Sequence, residues 1–103
     1  MPPGLDVRTT HEDRTTTVVV VGEVDLLTSV RLNRELQIAF EAEPEWLRID
    51  LSEVAFMDTT GVAVLLKARR QALEAGCRFT VKAASPTIQR LLEITGLATL
   101  LGE

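Results

Sequence analysis

Apolar and polar residues alternate with a period of two at the start of the chain. Leu5, Val7 and Thr9 stand against Asp6, Arg8 and Thr10, which predicts a strand with one apolar face. His11 to Arg14 form a polar interval of turn length, and Thr15 to Val21 then ends in four consecutive valines. A β-branched run of this kind predicts a central strand buried on both faces, and the short connection makes it the antiparallel partner of the first. Gly22-Glu23-Val24-Asp25 breaks the run, and Thr28 or Ser29 offers an N-cap for the next element. From there to about Glu43, Leu32, Leu36, Ala39 and Phe40 fall at helical spacing, and Pro44 stops the helix.

Leu47, Ile49 and Leu51 alternate with Arg48 and Asp50 as a third strand, parallel to the valine strand because a whole helix separates them. Trp46 at its entry reads as a packing anchor. A short loop carrying Met57 and Asp58 then leads into Thr59-Thr60-Gly61 and a second helix, which runs through Leu65, Leu66, Arg69, Ala72 and Leu73 to a stop at Gly76. Phe79 and Val81 mark a fourth strand. Ser85-Pro86 starts a third helix, with an N-cap followed by proline at the first helical position. Ile88, Leu91 and Leu92 form its apolar side and Gly96 closes it. The apolar tail Leu97 to Leu101 is expected to pack back on the sheet or to meet a partner. The expected fold is α/β, a single mixed β-sheet with helices packed against it in the order β-β-α-β-α-β-α. With no internal repeat and no linker, residues 1–103 read as one domain.

Composition narrows the function. At 103 residues the chain can build one core, and with 46% hydrophobic residues it is not a disordered segment. No apolar run approaches the ~20 residues of a spanning helix, and Met1-Pro2-Pro3-Gly4 has no signal-peptide character, so a cytoplasmic location without membrane insertion is expected. Eleven basic and fifteen acidic residues leave a net charge of −4, which weighs against direct nucleic-acid binding. Lys67, Arg69 and Arg70 read as the solvated face of a helix. One Cys and one His allow no internal disulfide and no all-protein zinc site, and Cys77 reads as a buried free thiol.

Enzymatic constellations are missing. His11 falls in a hairpin turn with no serine elbow to pair with it, and the glycines form no phosphate cradle, each being assigned to a turn or a cap. No enzyme activity, cofactor or metal is expected. Placement is more telling. In a sheet with parallel neighbours, sites form beyond the carboxyl ends of the strands. Glu23, Asp25 and Thr28 follow one such end, Asp58, Thr59, Thr60 and Gly61 follow the next, and the two segments should share one edge. An acid and two hydroxyls at a helix start are explained by capping, or by presentation of a hydroxyl for modification.

Taken together, Gly22-Glu23-Val24-Asp25, Ile49-Asp50-Leu51-Ser52, Phe56-Met57-Asp58-Thr59-Thr60-Gly61, Ser85-Pro86, Leu91-Leu92 and Thr95-Gly96-Leu97 resemble the STAS domains over nearly the whole chain, and among them the stand-alone anti-sigma factor antagonists. The resemblance implies a protein-binding switch. Its partner is an anti-sigma factor with serine/threonine kinase activity, bound when the antagonist is unphosphorylated and released on phosphorylation, with a phosphatase acting on the phosphorylated form. The modified hydroxyl follows the Asp of the loop, which places it at Thr59, with Thr60 as second choice, where the family usually has Ser. The implied partner-binding residues are Glu23, Asp25, Thr28, Asp58, Thr59, Thr60 and Gly61. The free N–H groups of the helix start are expected to accommodate a phosphate. The rival reading is a STAS accessory subunit of a lipid-transport or stress-signalling complex with no phospho-switch.

Overall fold

The computed structural model describes residues 4–101; residues 1–3 of the amino-terminal segment considered above lie outside them. Strands β1 (Leu5–Glu12), β2 (Thr15–Val24), β3 (Trp46–Met57) and β4 (Arg78–Ala84) form one sheet in the spatial order β1-β2-β3-β4. Helices α1 (Thr28–Glu41), α2 (Thr59–Ala75) and α3 (Pro86–Ile94) follow β2, β3 and β4. β1 pairs antiparallel with β2, while β2–β3 and β3–β4 are parallel, so the expected mixed α/β order holds.

The hairpin is tighter than its polar sequence suggests. β1 continues through His11 and Glu12, and only Asp13 and Arg14 turn, both with positive φ (51° and 62°). This pair of left-handed residues matches the right-handed twist of the strands it joins. β2 likewise runs on through Gly22 to Val24 where a break was expected.

The valine strand is not buried on both faces. Val18 and Val20 are fully buried, whereas Val19 and Val21 point to the other face and stay half-buried. The buried side chains of all three helices join the same cluster as Val18, Val20, Leu47, Ile49, Leu51 and Val81, so one face of the sheet carries the core. On the open face Trp46 stacks between Arg48 and Arg78, with ring distances of 5.0 and 4.1 Å, and its Nε1–H donates to Thr80 at 2.9 Å. It anchors that face through cation–π contacts.

The end of α2 and the start of α3 fall where expected. Gly76 takes the left-handed conformation (φ 69°) that ends α2. Ser85 and Pro86 start α3 as expected, at the N-cap and in the first turn, but the Ser85 hydroxyl makes no capping bond: it donates to the Val54 carbonyl at 2.8 Å and ties α3 to β3. The tail returns to the sheet, with Leu97 and Leu100 buried and Leu101 forming a parallel bridge to Val81.

Candidate functional site

The register of β2 on β3 creates the site. Val24 lies opposite Met57, both buried, and the Asp58 N–H donates to the Val24 carbonyl at 3.0 Å. The chain therefore leaves both strands at one edge, with Asp25 beyond the first and Asp58 beyond the second. Glu23 and Phe56, opposite each other one step earlier, are both exposed.

Each Asp stands at the approach to a helix. Asp58 has extended backbone geometry, and its Oδ1 accepts from the Thr60 N–H at 2.9 Å and the Gly61 N–H at 3.4 Å, the bonding pattern of an N-cap. The Thr60 hydroxyl donates to the same oxygen. Asp25 repeats the arrangement: Oδ1 accepts from the Leu27 N–H at 3.0 Å, the Thr28 N–H at 2.9 Å and the Thr28 hydroxyl at 3.0 Å. Asp25 thus caps the turn of Leu26 and Leu27 that leads into α1; Leu27 holds the N-cap position of the helix itself without a side-chain bond, so neither Thr28 nor Ser29 is the cap. The Thr28 hydroxyl accepts from the Asp25 N–H at 2.8 Å and reaches the Glu23 carbonyl at 2.8 Å, while the Ser29 hydroxyl donates to the Leu26 carbonyl at 3.1 Å. An Asp reaches two residues ahead in the chain more readily than a hydroxyl already engaged with the preceding strand end.

These bonds sort the hydroxyls. Thr28 and Thr60 are half-buried and engaged, and Thr59, the first residue of α2, is exposed with no hydrogen bond to its hydroxyl among the described residues. The N–H groups of Thr60 and Gly61 are not free for an added anion, because Asp58 already occupies them. Gly61 is needed for close approach rather than for a turn. A Cβ there would lie 2.5 Å from Met57 Cγ and 2.8 Å from Val24 Cγ1, so glycine lets α2 settle onto the two strand ends.

Apolar residues surround this polar centre, and the expected partner-binding set did not include them. Leu26, Leu27 and Val30 are 69, 82 and 61% exposed, and Phe56 is 48% exposed. Leu26 and Leu27 stand outside the helical spacing that buries Leu32, Leu36 and Ala39, which is the signal that marks them as surface residues. At the opposite end of the sheet, a cleft of about 580 Å³ is lined by Arg14, Phe40, Glu43, Pro44 and Cys77 among others. Cys77 is buried there, and burial pushes its thiol pKa up, away from the reactive thiolate. Among the described residues no group of three His, Cys, Asp or Glu could hold a metal ion, and no helix is long and apolar enough to cross a membrane.

The four-stranded mixed sheet thus gathers two Asp carboxylates, their bonded hydroxyls, the exposed Thr59 and exposed leucines at one edge. The family profile described as "Mlab, STAS domain" matches residues 7–102. The anti-sigma-B factor antagonist of Listeria monocytogenes is 33% identical over 84 residues, covering 82% of this chain and 74% of that protein. The anti-sigma-B factor antagonist of Staphylococcus aureus is 29% identical over 97 residues, covering 94% and 90%. Among solved structures, an anti-sigma factor antagonist from Mycobacterium paratuberculosis superposes with a TM-score of 0.87 at 28% identity, covering 98% of this chain and 86% of that one. The chain belongs to the STAS domain family.

Proposed function

We propose that this domain is an anti-sigma factor antagonist. In its unmodified form it binds an anti-sigma factor that is also a serine/threonine kinase, and phosphorylation of Thr59 by that kinase releases it. The names of its relatives support the class of partner. The observation that carries the residue assignment is the sorting of hydroxyls: Thr59 is exposed beside Asp58, while Thr28 and Thr60 are bonded to the two capping carboxylates. Glu23, Asp25, Thr28, Asp58, Thr59, Thr60 and Gly61 form the contact surface, joined by Leu26, Leu27, Val30 and Phe56.

The domain acts in the cytoplasm as a binding switch, not as a catalyst. A phosphate on Thr59 adds about −1.5 to −2 charge units at neutral pH. With the first N–H groups of α2 already capped, that charge stays at the surface next to Asp58. A partner docked over it would have to desolvate it beside a carboxylate, at a cost of several kcal/mol, where ~1.4 kcal/mol already means tenfold in affinity. A phosphatase acting on the same exposed position would restore binding.

Incubation with the cognate kinase and ATP, followed by peptide mass spectrometry, is expected to find phosphate on Thr59. Phosphate on Thr60 would reassign the site. No phosphate, with co-purification of a membrane-lipid transport complex, would instead support an accessory-subunit role.

A further inference from the structure

Beyond the capped edge, α1 and α2 present a surface zoned by chemistry. Both helices lead back from the same end of parallel strands, so they run side by side in the same direction, and a reciprocal amide pair fixes their register. The Gln37 Nε2–H donates to Gln71 Oε1 at 2.7 Å, and the Gln71 Nε2–H donates to Gln37 Oε1 at 2.8 Å. A position on α1 is therefore level with one about 34 further along the chain on α2. Exposed residues recur at three- and four-residue spacing, as the N-cap Leu27 followed by Val30, Arg34, Ile38 and Glu41 on α1, and as Thr59, Ala63, Lys67, Arg70 and Glu74 on α2. Such spacing keeps each set on one face.

Level by level, the two stripes agree in kind, except that exposed Ile38 stands between the basic and acidic zones of α1. Leu27 and Val30 accompany Thr59 and Ala63 in a small apolar zone at the capped edge. Arg34 accompanies Lys67 and Arg70 in a basic zone, and Glu41 accompanies Glu74 in an acidic zone at the far end. None of these five charged side chains forms an ion pair among the described residues. Arg31, on the flank, is turned away and donates to the Leu5 carbonyl at 2.7 Å. In a chain of net charge −4, an unpaired basic band between an apolar zone and an acidic one is a complementary pattern for one orientation of a partner.

We propose that this two-helix face receives a helical segment of the anti-sigma factor whose residues are apolar, then acidic, then basic, in the direction away from Thr59. The proposal rests on the function read above and gives its partner a chemistry. From Thr59 to Glu74 the face is about 22 Å long, enough to seat about four turns of helix. The apolar end of the docked segment then lies over the switch hydroxyl, and the charged bands set its direction.

The test is calorimetric binding of the unmodified protein and its variants to the cognate anti-sigma factor. The double variant Arg34→Glu, Lys67→Glu is expected to weaken binding about tenfold or more and to flatten its salt dependence. Glu41→Lys, Glu74→Lys is expected to weaken it as well. All four positions are exposed, so unchanged thermal unfolding separates lost docking from lost folding. Unchanged affinity in both double variants, with the wild type binding and Thr59→Glu failing to bind, would overturn this docking face and leave the switch standing. Absence of binding by the wild type would overturn both.

Discussion

The Asp25 carboxylate is held below its ordinary pKa of 3.8 first by the Thr28 N–H and then by the Thr28 hydroxyl, with partial desolvation pulling the other way and the Leu27 N–H adding to the lowering. A carboxyl whose pKa falls on folding contributes stability above its unfolded pKa, and that contribution is lost as the pH drops through the folded value. The variant Asp25→Asn lacks the ionisation. Its deficit in urea midpoint against the wild type is expected to be constant near neutral pH and to shrink as the pH falls below about 4. A deficit independent of pH would mean that the cap acts through geometry alone. The same scale explains why Thr59 stands out. Asp58 gathers the Thr60 hydroxyl and the first backbone donors to itself, which leaves the neighbouring hydroxyl exposed.

At the scale of elements, α2 is closely fitted to the two strand ends, because Gly61 lies against Met57 and Val24. Gly61→Ala is expected to destabilise the domain by about 1–3 kcal/mol, the usual cost of overpacking, read as a fall in urea midpoint. An unchanged midpoint would show that Met57 can move aside. The order of elements was legible in the sequence because alternation in β1 and the first half of β3, and helical spacing in α1, α2 and α3, each report burial on one side. The second half of β3 was not legible. Its buried residues, Leu51, Val54 and Met57, are three apart, and β3 accommodates extra residues against β2 where the register shifts between Val19 and Val21 and again between Gly22 and Glu23. Bulges of this kind put the pattern out of phase, so a strand reads as a loop. The valine strand misled in the other direction. Val19 and Val21 have the composition of a core but lie on a face that no helix covers, and β-propensity records fit to a pleated surface rather than full burial. The Asp25 cap was missed because Thr28 and Ser29 stand directly at the helix start and compete for the same role on paper.

For the whole molecule, the proposed switch separates fold from affinity. Thr59 is exposed and outside the core, so Thr59→Glu and Thr59→Ala are both expected to unfold at nearly the wild-type temperature. Only Thr59→Glu should lose affinity for the anti-sigma factor, by about tenfold or more, in titration calorimetry. Equal affinities for the two variants would remove the electrostatic mechanism.

The twin Asp caps also bear on how any phosphoryl group reaches this edge. A bare helix start attracts anions, but here Asp58 holds the Thr60 and Gly61 N–H groups and Asp25 the Leu27 and Thr28 N–H groups, so the surface around Thr59 carries carboxylates as well. A nucleotide brought there by the proposed kinase would gain no attraction from the N–H groups that Asp58 and Asp25 already hold, so its charge would have to be compensated by metal ions and basic groups of that enzyme. For the proposed switch, the positive charge that a phosphoryl donor needs at this edge would therefore come from the kinase and not from its substrate.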